Sequence, residues 1–199
     1  MDLSGVSDHE ASAVTDEERE AAVLAPVIER SAGPHLLFTK RADHLGEHAG
    51  QMSFPGGGRE PSDTDLEATA LREAKEEISL EPAEAAIVGR LNDIHTVTRY
   101  GVRPFVARVP DRPYTPEERE VAEIAVLPVV GLTDRSNYDS ERRDHPHYGD
   151  IRLHFFRVDG YTVWGATARM VVQFLRLATD WEMPPEPDRV VDPDADFPV

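Results

Sequence analysis

The chain has 199 residues, 40% of them hydrophobic and 7% aromatic, which suits one globular domain with a sizeable core better than a disordered chain. Its 38 acidic side chains outnumber the 21 basic ones and give a formal net charge of −17. This charge argues against nucleic acid or an anionic membrane as a partner, because both need basic patches. There is no cysteine, so disulfides, thiolate metal sites and thiol nucleophiles are excluded.

The two ends of the sequence differ in composition from its middle. Residues 1–19 are polar and acidic, and residues 184–199 are rich in proline and aspartate, so both are predicted to be flexible tails around a domain at residues 20–183. No apolar run reaches the roughly 18 residues that a transmembrane helix needs, and the acidic N-terminus lacks the basic and apolar segments of a signal peptide. Cytoplasmic residence is therefore the expectation.

The predicted domain begins with two strands. Residues 21–28 and 35–40 are short apolar runs separated by a turn-like Ser-Ala-Gly-Pro, and a glycine-marked loop, HAGQMSFPGGG, follows them. A helix is then predicted to run to about Ser79, with Thr64 or Asp65 as its N-cap. The charged, alanine-rich stretch from the cap to Ser79 contains no glycine or proline that would interrupt it.

The rest of the domain is predicted to contain further strands and one more helix. Strands are expected at residues 86–91, around 95–98, at 102–109 and at 151–158, each bounded by turn residues. Residues 165–178 place apolar side chains at intervals of three and four, so one face of a second helix should pack on a sheet. Strands and two helices in this irregular order predict an α/β domain with a mixed sheet.

Three glutamates of the first helix, Glu73, Glu76 and Glu77, share one patch of its surface, because residues three and four apart fall within about 100° of arc. The apolar positions of the helix occupy the adjoining arc, so the patch is expected at the edge of a cleft. Spacing alone leaves a solvated acidic stripe open as the alternative. Several carboxylates at a cleft edge nevertheless suit Mg²⁺, which takes part of its coordination shell from substrate phosphates.

The loop and this helix together resemble the Nudix box, a motif with the pattern G-x5-E-x7-R-E-U-x-E-E-x-G-U, in which U is aliphatic. The residues that match its R-E-U-x-E-E core are Arg72, Glu73, Ala74, Glu76 and Glu77. Two positions depart from the pattern, since Thr64 stands where the first glutamate is expected and Ser79 where the last glycine is expected. A loop longer by one residue would instead make Gly57 the first glycine and Asp63 the substitute for the glutamate.

Upstream residues resemble the coenzyme A pyrophosphatase branch of the Nudix family, whose signature is L-L-T-x2-R-(S/A)-x3-R-x3-G-x3-F-P-G-G. The matching residues are Leu36, Leu37, Arg41, Ala42, Gly50, Phe54, Pro55, Gly56 and Gly57. Phe38 stands where the signature has threonine, and Gly46 stands where it has its second arginine. Residues 163–168 also look like the turn into the last helix of that branch.

The resemblance implies a Nudix-type α/β/α sandwich that hydrolyses the pyrophosphate bond of a nucleoside diphosphate derivative with Mg²⁺ or Mn²⁺ as cofactor. CoA or acyl-CoA is the leading substrate and would give adenosine 3′,5′-bisphosphate and (acyl-)4′-phosphopantetheine. Phe38 and Gly46 keep other Nudix substrates open, namely ADP-ribose, dinucleotides and oxidised nucleotides. A Nudix-fold ligand-binding regulator without turnover is the alternative from another class. The partner is a small-molecule nucleotide, and a homodimer is left open.

The resemblance also implies roles for individual residues. The catalytic group would be Arg72, Glu73, Glu76 and Glu77. Glu73 and Glu77 would be the chief metal ligands, Glu76 would share the cluster, and Arg72 would pair with Glu73 to fix its rotamer. Glu120 would add a metal ligand from a distant loop, and one carboxylate would take a proton from metal-bound water. The residues implied to bind the substrate are Arg41, Gly50, Phe54, Gly56 and Gly57.

Other polar residues carry weaker patterns. Glu123 is the alternative to Glu120 in the same acidic stretch. His145 and His147 lie in a polar stretch and are interpreted as exposed residues rather than metal ligands. Tyr161 and Trp164 are interpreted as core residues rather than as a platform on which an adenine stacks.

Overall fold

The structure, a computed structural model, describes residues 1–15, 17, 19–42, 44, 50–96, 99–145, 149–192 and 195. Within these residues the main sheet has eight strands: β1 (Arg19–Arg30), β2 (Gly33–Arg41), β3 (Met52–Ser53), β4 (Gly56–Gly58), β5 (Ala86–Arg90), β6 (Ile94–His95), β7 (Tyr100–Val109) and β8 (Val121–Pro128). Their order is β3-β2-β1-β7-β5, with β4 on β1, β6 on β7 and β8 on β2. Because β1 and β7 run parallel and their other pairings are antiparallel, the sheet is mixed, as predicted.

A second, smaller sheet lies beside the first. In the described part of the chain it has the order β11-β10-β9-β12, formed by β9 (Tyr138–His145), β10 (Gly149–Val158), β11 (Tyr161–Trp164) and β12 (Arg189–Val190). The helices are α1 (Ser4–Ser7), α2 (Leu66–Ile78), α3 (Val129–Thr133) and α4 (Gly165–Ala178), and short 3₁₀ turns lie at Pro82–Glu84 and Arg135–Asn137. Among the residues described, no helix combines the length and apolar character needed to cross a membrane.

Helix α2 begins and ends close to where the sequence predicts. Its N-cap is Asp65 and not Thr64, because the Asp65 carboxylate accepts a hydrogen bond from the backbone N–H of Ala68 at 2.8 Å. Ser79 ends the helix in the left-handed conformation, with φ of 56°. A helix often ends on a glycine in this conformation, which explains why the resembled pattern has glycine where this chain has serine.

Two apolar layers pack on opposite faces of the main sheet, since successive side chains of a strand point to opposite sides. On one face, Leu24 and Leu37 pack with the buried positions of α2. On the other face, Ala25 and Phe38 pack with α4 and with apolar residues of the second sheet. The sheet is therefore enclosed between α2 on one side and α4 with the smaller sheet on the other, which confirms the predicted α/β sandwich.

Six of the described strands lie outside the predicted ones, and β8 and β9 are the longest of the six. The second half of β8 is apolar, but it follows an acidic stretch in which the sequence indicates only metal ligands. The strand pairs with β2, which is distant in the sequence. Strand β9 is highly charged, yet Glu141 and Arg143 are buried in it as an ion pair at 2.6 Å. The apolar pattern that reveals a strand is therefore missing from β9.

Residues on both sides of the predicted domain, residues 20–183, pack against it. Near the N-terminus, Leu3 and Val6 are buried in the core cluster, and α1 contacts both α4 and β5. Near the C-terminus, β12 pairs with β9, and the Asp188 carboxylate accepts a hydrogen bond from the backbone N–H of Ser140 at 2.9 Å. Few apolar residues make these contacts, so composition alone did not reveal them.

Candidate active site

Arg72 connects the helix α2 to the loop that precedes it. Its Nη1 donates to Glu73 Oε1 at 2.9 Å and to Glu76 Oε2 at 3.0 Å. Its Nε and Nη2 donate to the two carboxylate oxygens of Asp63 at 3.0 and 3.1 Å, and Nη2 also donates to the carbonyl oxygen of Gly58 at 3.0 Å. These hydrogen bonds, Asp63 first, raise the pKa of Arg72. Arg72 therefore pairs with Glu73 as the resemblance implies, and it is itself held by Asp63.

Asp63 occupies the position that a loop longer by one residue would give to the first glutamate of the box. Besides Arg72, its carboxylate accepts hydrogen bonds from the Glu60 backbone N–H at 2.9 Å and from Thr69 Oγ1 at 3.0 Å. The hydrogen bonds from Arg72 are the main reason why the pKa of Asp63 lies far below its ordinary value. This geometry favours Asp63 over Thr64 as the counterpart of that glutamate.

Glu77 is the most buried carboxylate of helix α2, with 8% of its surface exposed. Its Oε2 accepts one hydrogen bond, from the backbone N–H of Gly56 at 3.2 Å. Burial raises the pKa of Glu77 to about 8, and the nearby carboxylates of Glu73 and Glu120 add to this rise, while the Gly56 N–H and the positive charge of Arg41 oppose it. Glu77 is therefore a buried acid whose surroundings are themselves acidic.

Glu73 and Glu120 belong to the same carboxylate cluster. Burial raises the pKa of Glu73, its hydrogen bond and ion pair with Arg72 oppose this, and the charges of Glu76 and Glu120 raise it further. Glu76 is more peripheral, since 58% of its side chain is exposed and Arg72 is its partner. The charges of Glu73, Glu77 and Glu120 therefore act on one another, and both Glu76 and Glu120 are exposed at the edge of this cluster.

Glu123, the alternative to Glu120, faces elsewhere. Its carboxylate accepts a hydrogen bond from the Tyr161 hydroxyl, which ties β8 to β11. The backbone carbonyl of Glu120, by contrast, accepts from the Ala42 N–H at 2.9 Å beside the end of β2. The electrostatic effect of Glu120 on Glu73 and Glu77 therefore supports Glu120 as the additional acid.

The glycines of β4 allow helix α2 to approach closely. A Cβ atom on Gly57 would lie 2.5 Å from Glu73 Oε1, and a Cβ atom on Gly56 would lie 2.4 Å from the carbonyl oxygen of Ala22. Both contacts are shorter than real Cβ atoms make, so a side chain at Gly57 would displace the Glu73 carboxylate and one at Gly56 would push β4 away from β1. The absence of side chains at the two glycines therefore leaves room for the Glu73 carboxylate and for β1.

Of the residues implied to bind substrate, Phe54 is a correction. Its side chain is 2% exposed and its ring stacks on that of Phe38, with the centroids 4.8 Å apart. Phe54 is therefore a core residue that anchors the loop, and its ring has almost no exposed surface for contact with a ligand. Phe38, which replaces the threonine of the signature, belongs to the same apolar stack, so its large side chain faces the core.

Arg41 and Gly50 close the loop between them. The Arg41 backbone N–H donates to the Gln51 carbonyl at 3.0 Å, and the Gly50 N–H donates to the Arg41 carbonyl at 3.1 Å. Gly50 has a φ of +71°, which glycine adopts without strain. Gly46 falls in residues 45–49, which lie outside the described residues.

Of the remaining candidates, the structure describes the side chains of Tyr161 and Trp164. Trp164 stacks on Phe155, with the ring centroids 6.3 Å apart, and Tyr161 packs against the core. The side chain of His145 and all of His147 lie outside the described residues.

The acidic cluster fits a divalent cation in its chemistry. Glu73, Glu77 and Glu120 provide hard oxygen donors, and the burial of Glu77 leaves its charge poorly compensated by the protein. As arranged here, the described residues contain no group of three acids or histidines close enough to form a ready-made cage. Mg²⁺ characteristically completes its shell with water and substrate phosphate, so an open set of carboxylates suits it.

A cavity of about 450 Å³ lies next to this cluster. It opens between the first residues of β1 and β7 and the loop that follows β4, and its lining residues are Arg19, Glu20, Gly58, Arg59, Glu60, Pro61, Asp63 and Tyr100. Sequence analysis did not single out Arg19, Arg59 or Tyr100. They come from three separate segments and carry no motif, so only the fold brings them together.

The chain matches the NUDIX domain family over residues 18–148, which is more than half of its length. It is 39% identical over 157 residues to a protein of Escherichia coli O7:K1 described as an uncharacterized Nudix hydrolase, NudL, and the match covers 77% of this chain and 79% of that protein. The NudL of Enterobacter sp. strain 638 is 40% identical over the same shares of both chains.

Solved structures show the same fold. A Nudix hydrolase of M. smegmatis, RenU, has a TM-score of 0.50 at 18% identity and covers 64% of this chain and 83% of its own. A MutT/nudix family protein of Enterococcus faecalis has a TM-score of 0.50 at 11% identity and covers 82% of this chain and 62% of its own. The family match over residues 18–148 and the identity to the NudL proteins show common family membership as well as a common fold. This chain therefore belongs to the Nudix hydrolase family.

Proposed function

We propose that this Nudix hydrolase cleaves the pyrophosphate bond of CoA or acyl-CoA, with Mg²⁺ or Mn²⁺ held by Glu73, Glu77 and Glu120. The observation that carries the proposal is the position of Glu77, a buried acid that accepts a single hydrogen bond and is surrounded by other acids. Such an arrangement is unfavourable for the protein alone and favourable once a cation is bound.

A phosphoanhydride resists hydrolysis because its oxygens repel an incoming nucleophile, so catalysis requires charge neutralisation and a positioned water. A metal held by Glu73, Glu77 and Glu120 would supply the positive charge and would lower the pKa of water. Arg72 holds the Glu73 carboxylate in place, and Asp63 holds Arg72 from the opposite side. A carboxylate of the cluster accepts the proton of the attacking water.

CoA is a more specific assignment than membership of the Nudix family. It rests on the loop that resembles the signature of the coenzyme A pyrophosphatase branch. Arg41 and Gly50 close that loop beside the acidic cluster, and the positive charge of Arg41 acts on Glu77. A guanidinium in this position suits a phosphate of the substrate. Gly46 removes a second guanidinium, which is why ADP-ribose, dinucleotides and oxidised nucleotides are the rival substrates.

A Nudix-fold regulator without turnover is the second alternative. Such a module has no need of the acidic cluster, whereas this chain keeps Arg72, Glu73 and Glu77 in mutual contact or close electrostatic interaction. The retained cluster therefore favours an enzyme.

The test is to incubate the protein and Mg²⁺ with CoA, acyl-CoA, ADP-ribose, NADH and diadenosine polyphosphates, and to identify the products by mass spectrometry. We expect adenosine 3′,5′-bisphosphate and 4′-phosphopantetheine from CoA, at a higher kcat/KM than for the other compounds. Preferential cleavage of another compound would reassign the substrate, and no cleavage of any would reject the enzymatic proposal. The Glu77→Gln protein, purified in parallel, controls for contaminating hydrolases.

A further inference from the structure

We propose that the cavity lined by Arg19, Arg59 and Tyr100 is an anion subsite that binds a phosphate monoester of the substrate outside its scissile pyrophosphate. We call it the Arg19 cavity. The proposal rests on the proposed function, since it concerns the same substrate, and it assigns to Arg19 a role in choosing between substrates with and without this additional phosphate.

The Arg19 cavity adjoins the catalytic cluster through one residue. The carbonyl oxygen of Gly58, which lines the cavity, accepts a hydrogen bond from Arg72 at 3.0 Å, and Arg72 is also bonded to Glu73. A Cβ atom on Gly58 would lie 3.9 Å from the Tyr100 ring, so a larger side chain there would extend towards the cavity wall. In the proposal the pyrophosphate binds at the acidic cluster and a second group of the same substrate extends past Gly58 into the cavity. At about 450 Å³ the cavity has room for a phosphorylated sugar.

Arg19 is the basic group of the cavity that the protein leaves available. Its guanidinium carbon lies over the Tyr100 ring, 5.5 Å from the centroid. Within the described residues the side chain of Arg19 makes no hydrogen bond or ion pair, so the N–H groups of its guanidinium remain for a ligand. A guanidinium resting on an aromatic ring is partly fixed in orientation, which reduces the entropy lost when it binds a phosphate through two hydrogen bonds.

Three of the other four charges of the cavity are closely paired. Arg59 pairs with Glu20 at 2.7 Å, and Asp63 is held by Arg72. The remaining carboxylate, Glu60, has 60% of its side chain exposed and lies 4.0 Å from Arg72. Among the described residues, Arg19 is thus the arginine of the cavity that has no ion-pair partner, and Arg59 is available as a second donor when a phosphate competes with Glu20.

A phosphate fits the cavity better than a nucleobase does. The face of Tyr100 on which a base would stack is occupied by the Arg19 guanidinium. The chain as a whole carries a net charge of −17 and repels a polyanionic substrate. An arginine that has no ion-pair partner within the described part of the chain is a local source of attraction for such a substrate. CoA carries such an extra phosphate on its ribose, whereas 3′-dephospho-CoA has the same pyrophosphate without it.

The first measurement compares kcat/KM for CoA and 3′-dephospho-CoA with Mg²⁺ in the wild type, in Arg19→Gln and in Arg176→Gln. Arg176 is an exposed arginine of α4 and provides the same charge change away from the cavity. We expect Arg19→Gln to lower kcat/KM for CoA by about tenfold, the effect of losing a charge-assisted hydrogen bond, and to leave 3′-dephospho-CoA within about twofold. Arg176→Gln should change neither. An equal effect of Arg19→Gln on both substrates, or no effect, would overturn the proposal.

The second measurement does not depend on turnover. Isothermal titration in EDTA compares the binding of adenosine 3′,5′-bisphosphate and AMP to the wild type and to Arg19→Gln. We expect the wild type to prefer the bisphosphate and Arg19→Gln to lose that preference. If the wild type binds the bisphosphate through Arg19 but cleaves no CoA, the proposed function fails while the subsite stands. If it cleaves CoA and neither measurement depends on Arg19, the subsite alone fails.

Discussion

Two buried glutamates, Glu77 in helix α2 and Glu141 in strand β9, lie in opposite electrostatic surroundings. Glu141 is 1% exposed and accepts hydrogen bonds from Arg143 at 2.6 Å and Arg189 at 3.2 Å. Glu77 is 8% exposed, accepts one hydrogen bond from the backbone of Gly56, and is surrounded by other carboxylates. The same side chain is thus satisfied within the fold in one place and left short of positive charge in the other.

This difference separates a structural acid from a candidate metal ligand. A buried carboxylate that faces arginines needs no further partner, and removing either member of the pair leaves an uncompensated charge. A buried carboxylate that faces other acids gains from a cation supplied from solution. Burial alone would have ranked Glu141 above Glu77, so the neighbours of each acid matter more than its exposure.

The largest effect is expected from Glu77→Gln, which keeps the shape of the side chain and removes its charge. Turnover should fall by about a thousandfold, the upper range for loss of one preorganised electrostatic group. Affinity for Mg²⁺, measured by isothermal titration, should fall as well. Glu67→Gln, on an exposed position of the same helix, is the matched control and should keep full activity. Wild-type turnover by Glu77→Gln would refute its assignment as a metal ligand.

The opposite outcome is expected in the second sheet. Glu141→Gln removes the carboxylate that pairs with the buried Arg143, and breaking such a pair costs about 3–5 kcal/mol. Urea unfolding should report this loss, while kcat below the unfolding transition should stay near the wild-type value. A stable Glu141→Gln protein with impaired turnover would reverse the roles that we assign to the two glutamates.

A smaller effect is expected from Asp63→Asn, which removes the charge that pairs with Arg72 and weakens the hydrogen bonds between the two side chains, without removing a metal ligand. Because Arg72 orients Glu73, we expect metal affinity or kcat/KM to fall by about 10- to 100-fold, as for other residues that orient metal ligands. Asp65→Asn keeps the helix cap in the same loop and serves as the control. Equal activities of Asp63→Asn and wild type would show that Arg72 orients Glu73 unaided.

The sequence predicted the parts of this fold whose information is local. Helix α2 follows from its cap, its alanine-rich composition and its glutamate spacing, and the resemblance paired Arg72 with Glu73. The role of Asp63 could be stated only as an alternative, because one additional loop residue shifts the alignment. Its hydrogen bonds to Arg72 depend on how the loop folds back on the helix.

The parts that were missed depend on long-range contacts. Strand β9 lacks an apolar pattern because its buried residues Glu141 and Arg143 form an ion pair. The motif implies that Phe54 binds substrate, whereas its ring stacks on Phe38, a contact that the sequence does not indicate. Arg19 and Tyr100 meet because β1 and β7 run parallel, and nothing near either residue in the sequence indicates this contact.

The most direct test of Glu77 as a buried acid among acids is the stability of the metal-free protein as a function of pH, measured by urea unfolding in EDTA for wild type and Glu77→Gln. The pKa of Glu77 is raised from 4.5 to about 8 in the folded protein, so the folded state holds a proton that the unfolded state releases. We therefore expect wild-type stability, relative to Glu77→Gln, to be greatest below pH 4.5 and to fall as the pH rises to 8. Excess Mg²⁺ should remove this fall in the wild type only. Parallel stability curves for the two proteins from pH 5 to 8 would contradict the central claim.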